Sequence, residues 1–349
     1  MLSLLGSAFL AASLGAGAQA PATLLTTKAP IRAFAQDGGR IAWASQCKVR
    51  IRSLAAKRTF VVGGTGLRSA CFEDDSWRLA LGGSRALWGG YYRTQSNNRY
   101  GAVLTGSIGA SSRKLWSLEQ VERSWGGFLT SIVGDGSTLA YANVYVRQMS
   151  GPDCPPCFYR VTGQPVRRVS SGQAVVPGAR PAVAIAADTG RVAVVPADSR
   201  DTTSRIRPVA VPDGPVEVRD AVTGSLVTSF APRGMVTAVA LSGGVAAVIV
   251  RDQIAPRIER YSVTTGALIE TLPLFQLAAD ELGLSGTMVV FRIGREIYVF
   301  DTASRKQVRV TATATPIGLS IEGNRVAWAE NIRIGRKLRG RIRNFTLTP

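Results

Sequence analysis

Asn324-Arg-Val-Ala-Trp-Ala329 is the last of seven copies of one phrase, a small or polar turn followed by a short apolar run. The others are Gly39-Arg-Ile-Ala-Trp-Ala44, Ser84-Arg-Ala-Leu-Trp-Gly89, Ser137-Thr-Leu-Ala-Tyr-Ala142, Gly190-Arg-Val-Ala-Val-Val195, Gly244-Val-Ala-Ala-Val-Ile249 and Gly286-Thr-Met-Val-Val-Phe291. A recurrence at roughly 40 to 50 residues marks a repeat architecture, in which no unit buries its own apolar face and neighbours must stack to make a core.

Each phrase sits among other short strands. In the fourth unit, Ala182-Val-Ala-Ile-Ala186 reads as an inner strand A and Arg191-Val-Ala-Val-Val195 as strand B. Val216-Glu-Val-Arg219 then reads as strand C and Ser225-Leu-Val-Thr-Ser-Phe230 as strand D. The turn between C and D, Asp220-Ala-Val-Thr-Gly224, recurs in register as Tyr261-Ser-Val-Thr-Thr-Gly266 and Phe300-Asp-Thr-Ala-Ser304. Helical repeats do not fit units rich in Val, Ile and Thr and punctuated by Gly. A β-helix would have far shorter coils. The pattern predicts an all-β chain, a seven-bladed β-propeller of four-stranded antiparallel blades.

Ring closure supplies an independent expectation. The last unit holds strand A near 316–321, strand B at 324–329 and strand C near 341–347, and lacks a fourth strand. Thr23-Leu-Leu-Thr-Thr-Lys28, just before the first strand A at 31–35, is spare. It is predicted to close the last blade and so remove an exposed sheet edge.

The first 27 residues carry no charge and run apolar from Leu2 to Leu14 before Gly15-Ala-Gly-Ala-Gln-Ala20. Residues 1–20 read as a signal peptide, with small residues that suit cleavage between 18 and 22, and 23–349 as one propeller domain. The expected location is secreted, periplasmic or cell-envelope. The apolar run falls short of the roughly 20 residues a transmembrane helix needs, so no span is expected after cleavage. The chain is globular in composition, with 46% hydrophobic and 19% charged residues. Lys and Arg number 42 against 23 Asp and Glu, a net charge of +19. Only 6 of the 42 are Lys. Such a balance reads either as compositional drift towards Arg or as attraction to polyanions.

The units resemble the WD40-like and TolB-type propeller repeats of bacterial exported proteins, through the Gly-Arg-Val-Ala-Trp phrase and the Asp-x-x-Thr-Gly turn, from about residue 25 onward. The Gly-His and Trp-Asp dipeptides of eukaryotic WD40 blades are absent. The resemblance implies a binding scaffold and names no ligand.

In a propeller, the B-to-C loops and the D-to-A connections between blades share one face, here called the upper face. Cys47 and Cys71 fall there in and after the first blade, and Cys154 and Cys157 in the third B-to-C loop. An even cysteine count behind a signal peptide predicts two disulfides, Cys47–Cys71 and Cys154–Cys157. The longest insertion, 197–214, also lies on this face and carries Arg200, Arg205 and Arg207. Other B-to-C loops carry Arg93, Arg99, Arg251, Arg257, Arg333 and Arg336. Arginine suits bidentate contact with carboxylate or phosphate, and these nine are the candidate binding residues.

The chain has no histidine, which removes every Ser-His-Asp or Cys-His nucleophile and every His-ligated metal. No cofactor, metal or catalytic residue is assigned. The expected function is a noncatalytic exported scaffold whose upper face binds an anionic protein or cell-envelope polymer, and the protein is expected to be a monomer. The alternative is a carboxylate-dependent carbohydrate-active enzyme, which needs only two well-placed Asp or Glu residues. Nucleic acid is not an expected partner, since no recognition module is present. The aromatics Trp88, Tyr91, Tyr92 and Tyr100 are read as packing between blades rather than as a stacking platform.

Overall fold

Strand B of every blade reads as a nearly continuous apolar run because it is covered on both faces. Arg191–Pro196 is half-exposed only at its arginine and buried at the remaining positions, and Arg40–Ser45 repeats that pattern. The outer strand Leu226–Phe230 faces solvent instead and is buried only at Phe230. Such a gradient from inner to outer strand is what stacking sheets radially around an axis produces.

The computed structural model describes residues 20–65, 71–93, 99–121, 125–148, 159–163, 166–170, 173–199, 208–252, 255–274 and 279–347. Its strands form seven antiparallel four-stranded blades with no helix among the described residues. The first comprises Ala33–Asp37, Arg40–Ser45, Lys48–Ser53 and Thr59–Gly64 in that spatial order. Blades four, five and six repeat it, beginning at Ala182–Asp188, Met235–Ser242 and Ala279–Ser285. Blades two and three share one sheet, because Trp125 and Gly126 at the start of the third pair with Val121 and Gln120 at the end of the second. The third strand of blade three is split into Tyr159–Gly163 and Arg167–Val169, both paired with Thr138–Gln148.

The spare N-terminal strand closes the ring. Ala22–Thr26 pairs antiparallel with Lys337–Thr346, setting Ala22 opposite Asn344 and Thr26 opposite Arg341. The last blade thus runs Ala22–Thr26, Lys337–Thr346, Arg325–Ile334, Ile317–Glu322. Its strands B and C reach beyond the 324–329 and 341–347 expected from the sequence, because their ladder continues to Ile334 opposite Lys337. Asn331 clamps the junction: its side chain accepts from the Ile31 amide at 2.8 Å and donates to the Ile31 carbonyl at 2.9 Å.

The core divides by blade interface. Separate apolar clusters lie between blades one and two (around Trp88 and Ile51), two and three (Tyr141, Leu87), three and four (Val194, Ile185), and four and five (Val248, Tyr261). Others fill five and six (Ile249, Phe291), six and seven (Trp328, Phe345), and seven and one (Ile41, Trp43, Ile342). The aromatic of the repeated phrase is therefore an interface residue, and Trp88, Trp328 and Tyr141 are among the most buried side chains described.

The lower face, made of A-to-B and C-to-D turns, is latched blade to blade. Asp37 at the end of the first strand A accepts from the Gly83 amide of the next turn, Ser242 from Gly286 at 3.2 Å, and Glu322 from Gly39 at 3.0 Å. Each turn can present its amides because its glycines take the left-handed conformation, as Gly38 (φ 56°) and Gly39 (φ 68°) do. Strand A carries a bulge at the same level in blades three to seven, at Thr130, Val183, Thr237, Asp280 and Gly318. These bulges raise local twist where the inner strands converge on the axis.

Asn331→Ala leaves the Ile31 amide and carbonyl without their partner. It is expected to cost about 1–3 kcal/mol of stability, measured by urea unfolding, since two part-buried backbone groups lose their partner and water reaches them in part.

Candidate functional site

Backbone pairing decides how far each loop stands above the upper face. In blades one and six, strands B and C meet in tight turns at Gln46–Cys47 and Gly294–Arg295. In blade seven the two strands run ten residues each, Arg325–Ile334 and Lys337–Thr346, and turn at Gly335 (φ 60°) and Arg336. Blades two and three also extend, through Arg93 opposite Arg99 and through Gln148 opposite Tyr159. Val144, Val146 and Val161 give the tall hairpin of blade three an apolar cluster of its own.

The nine predicted arginines fall into distinct environments. Arg99 is 11% exposed, forms an ion pair with Glu73 and lies 3.9 Å from Asp75, with its guanidinium 5.3 Å from the centre of the Tyr91 ring. Arg257 is spent likewise, pairing with Asp252, with Glu259 at 2.6 Å and with the Arg233 carbonyl at 2.5 Å. Removing Arg257 would strand buried Glu259 and removing Arg99 would strand half-buried Glu73, so both serve the scaffold. Arg251 is 41% exposed and reaches inward to the Ala279 carbonyl at 3.3 Å and Asp280 at 3.9 Å. Arg333 and Arg336 are exposed at the tip of the blade-seven hairpin, beside exposed Lys337. Arg93 is placed by its backbone alone. Arg200, Arg205, Arg207, Cys154 and Cys157 lie outside the described residues.

Among the described residues, ion pairing stops at the base of that hairpin. Glu330 is fully buried and holds Arg341 at 2.9 Å through Nε and Arg343 at 3.6 Å. Between Asn331 and Gly340 the hairpin has four cations, Arg333, Arg336, Lys337 and Arg339, and no acidic residue. Ile334 and Leu338 stand 46% and 45% exposed among them. Alternation puts Ile334 and Lys337 on one face of the ribbon and Arg333 and Leu338 on the other.

The first predicted disulfide is present. Cys47 in the B-to-C turn of blade one and Cys71 in the connection to blade two are bonded, with Cα atoms 5.1 Å apart. The aromatics behave as interface residues: Trp88 is fully buried and donates to the Gly64 carbonyl at 2.9 Å, Tyr91 accepts from the Leu129 amide, and Tyr92 stacks on Tyr100 at 6.0 Å. Burial pushes the Tyr91 phenol up to about 12.

The carboxylates do not assemble a catalytic or metal centre. Among the described residues, no group of three His, Cys, Asp or Glu side chains could hold a metal ion. Asp135 is the carboxylate that sequence reading passed over: burial raises its pKa, and the charges of Asp37 and Asp188 raise it further. It spends its acceptor capacity on Thr189, taking the amide at 3.2 Å and the hydroxyl at 3.3 Å, as one of the lower-face latches. The available signal was position, since Asp37, Asp135 and Glu322 all close strand A ahead of a glycine turn or its equivalent. Glu281 on the inner strand of blade six is also raised, chiefly by burial, and faces Arg292 at 3.4 Å.

No protein-family model matches the chain, and none of the curated proteins does. Solved structures do resemble it. The Cps50 (Swd1) β-propeller domain of Myceliophteria thermophila superposes with a TM-score of 0.52 at 12% identity, covering 94% of this chain and 100% of that one. Hsv2 of Kluyveromyces lactis gives 0.49 at 9% identity over 92% and 100%, and BamB of Moraxella catarrhalis gives 0.42 at 10% over 91% and 85%. At these identities the similarity shows the propeller fold alone.

Replacing both Cys47 and Cys71 by Ser opens a covalent loop with a sequence separation of 24. The expected loss is about 3 kcal/mol. Urea unfolding with and without reductant checks it: reduced wild type should approach the double variant. A reductant response persisting in that variant would report the second pair expected at Cys154 and Cys157.

Proposed function

We propose that the protein is a noncatalytic, exported binding scaffold whose upper face docks an anionic partner, a protein or a cell-envelope polymer. The blade-seven hairpin carries this reading. It lifts Arg333, Arg336 and Lys337 clear of the acidic residues that neutralise other upper-face arginines, on a ribbon whose base is fixed by buried Glu330. A preorganised ribbon loses little conformational freedom on binding, so its charges convert into affinity with small ordering cost. The exposed Ile334 and Leu338 add apolar contact beside the charge, the composition of a docking patch rather than of a merely solvated loop. The uncharged N-terminal stretch and the resemblance of the repeated phrase to exported WD40-like, TolB-type repeats support export.

The test is binding of poly-L-glutamate and polyphosphate at low and high salt. Wild type should bind both at low salt and weaken steeply as salt rises. The triple variant Arg333→Ser/Arg336→Ser/Lys337→Ser should lose roughly ten- to hundredfold, from about 0.5–1 kcal/mol per exposed cation. Lys306→Ser, on the opposite face, should change little. Salt-independent binding, equal losses in both variants, or turnover of a glycan substrate would each overturn the reading.

A further inference from the structure

Blades two, three and seven raise tall hairpins on the upper face, and in two of them the inner edge of strand B is covered above the repeated phrase. Blade three covers it with strand A itself. Trp125–Asp135 is 11 residues long and follows strand B upward, setting Phe128 opposite Val144 and Gly126 opposite Val146. Blade two covers it with a connection. Its strand A pairs no higher than Arg78 opposite Gly89, and two residues further up the Tyr91 carbonyl accepts from the Glu73 amide while the Tyr91 amide donates to the Ser76 hydroxyl at 2.9 Å.

Blade seven has neither cover. Its strand A starts at Ile317, directly after Pro316, and the first pair it makes is Ile317 opposite Ala329. Gly89, Ala142 and Ala329 end the same repeated phrase, so Asn331 corresponds to Tyr91 and Val144, and Arg333 to Val146. The ladder between strands B and C nevertheless continues to Ile334 opposite Lys337. A two-residue turn at Gly335 and Arg336 makes that last couple a hydrogen-bonded pair, and alternation then aims the N–H and C=O of Asn331 and Arg333 away from strand C. Among the described residues, no strand pairs with that edge above Ala329.

The side chains along this edge define what could lie beside it. Ile332 and Ile334 share one face of the ribbon, and Arg333 stands between them on the other. A second copy of the same edge would set arginine near arginine, which disfavours self-pairing. An acidic residue beside Arg333 and apolar residues beside Ile332 and Ile334 complement the edge instead.

We propose that the inner edge of strand B in blade seven, from Asn331 to Ile334, binds an extended segment of a partner protein by strand addition, and that acidic and apolar residues alternate in this segment. The segment stands where Gly126 to Phe128 stand in blade three. Main-chain hydrogen bonds to Asn331 and Arg333 supply affinity, and the alternating side chains supply selectivity. The four cations of the hairpin, with no acidic residue among them, attract the segment. This inference rests on the reading that the hairpin docks an anionic partner, and it narrows that partner to a protein chain.

Fluorescence titration of the full chain with a labelled eight-residue peptide of alternating glutamate and valine tests it. The controls are an isomer of the same composition with its glutamates grouped together, and two N-methylated peptides, each blocked at one alternate set of amides. The alternating peptide should bind about tenfold tighter than its isomer, and one N-methylated peptide should lose about tenfold while the other keeps its affinity. In the complex, the Asn331 and Arg333 amides should exchange with solvent about tenfold more slowly by NMR. Arg333→Ser, which removes the cation, should weaken binding severalfold, and Arg333→Pro, which also removes the edge amide, should abolish it. The N-methylated pair on wild type keeps the test open if Arg333→Pro disturbs the hairpin. Equal binding of all four peptides, with poly-L-glutamate still bound, overturns strand addition and leaves the anionic-partner reading standing. Loss of poly-L-glutamate and peptide binding together overturns both.

Discussion

Every blade of this protein is a sheet with two apolar faces, and neither can be buried by the blade itself. That constraint forces the ring. Seven apolar clusters map one to each blade interface, and Leu24 and Leu25 of the strand that joins Lys337–Thr346 pack against the one between blades seven and one. Closure therefore satisfies two demands together, covering the apolar faces of two blades and pairing an otherwise open sheet edge. The aromatic in the repeated phrase follows from the same cause, since the middle of strand B is where two sheets approach and a large ring fills the gap.

The two faces of the ring answer to different physics. On the lower face, short turns contact their neighbours directly, and side chains such as Asp37, Asp135 and Ser242 accept amides from the next blade, which restricts loop length. On the upper face the described side chains that accept a connection amide, such as Asp213 from Gly234 and Asn331 from Ile31, do not sit at one repeated position, and hairpins differ from two-residue turns in blades one and six to the tall ribbons of blades two, three and seven. Variation that leaves the core untouched concentrates there.

Charge follows the same division. Glu217, Glu259 and Glu330 are buried and each is paired with arginine from its own or an adjacent strand. With 23 acidic residues against 42 basic ones, and with acids such as Asp37, Asp220 and Asp301 spent on turn amides, cations remain at the periphery. Those of the blade-seven hairpin, from Arg333 to Arg339, have no acidic residue within the hairpin itself.

The number of blades, the strand order within them, the closing strand and the Cys47–Cys71 bond were all legible in the sequence. Each is written in local patterning: apolar runs of four to six residues, glycine turns, and one spare strand at the N-terminus. The ten-residue ribbon of blade seven was read as a loop, because Gly335 and the four cations around it mask the strand-like alternation of Ile332 and Ile334 that the ladder confirms. Nor were the fates of the arginines. Arg99 and Arg333 read alike along the chain, yet one meets Glu73 from the connection preceding its blade and the other meets solvent. A cation's partner is set by distance in space, which periodicity does not encode.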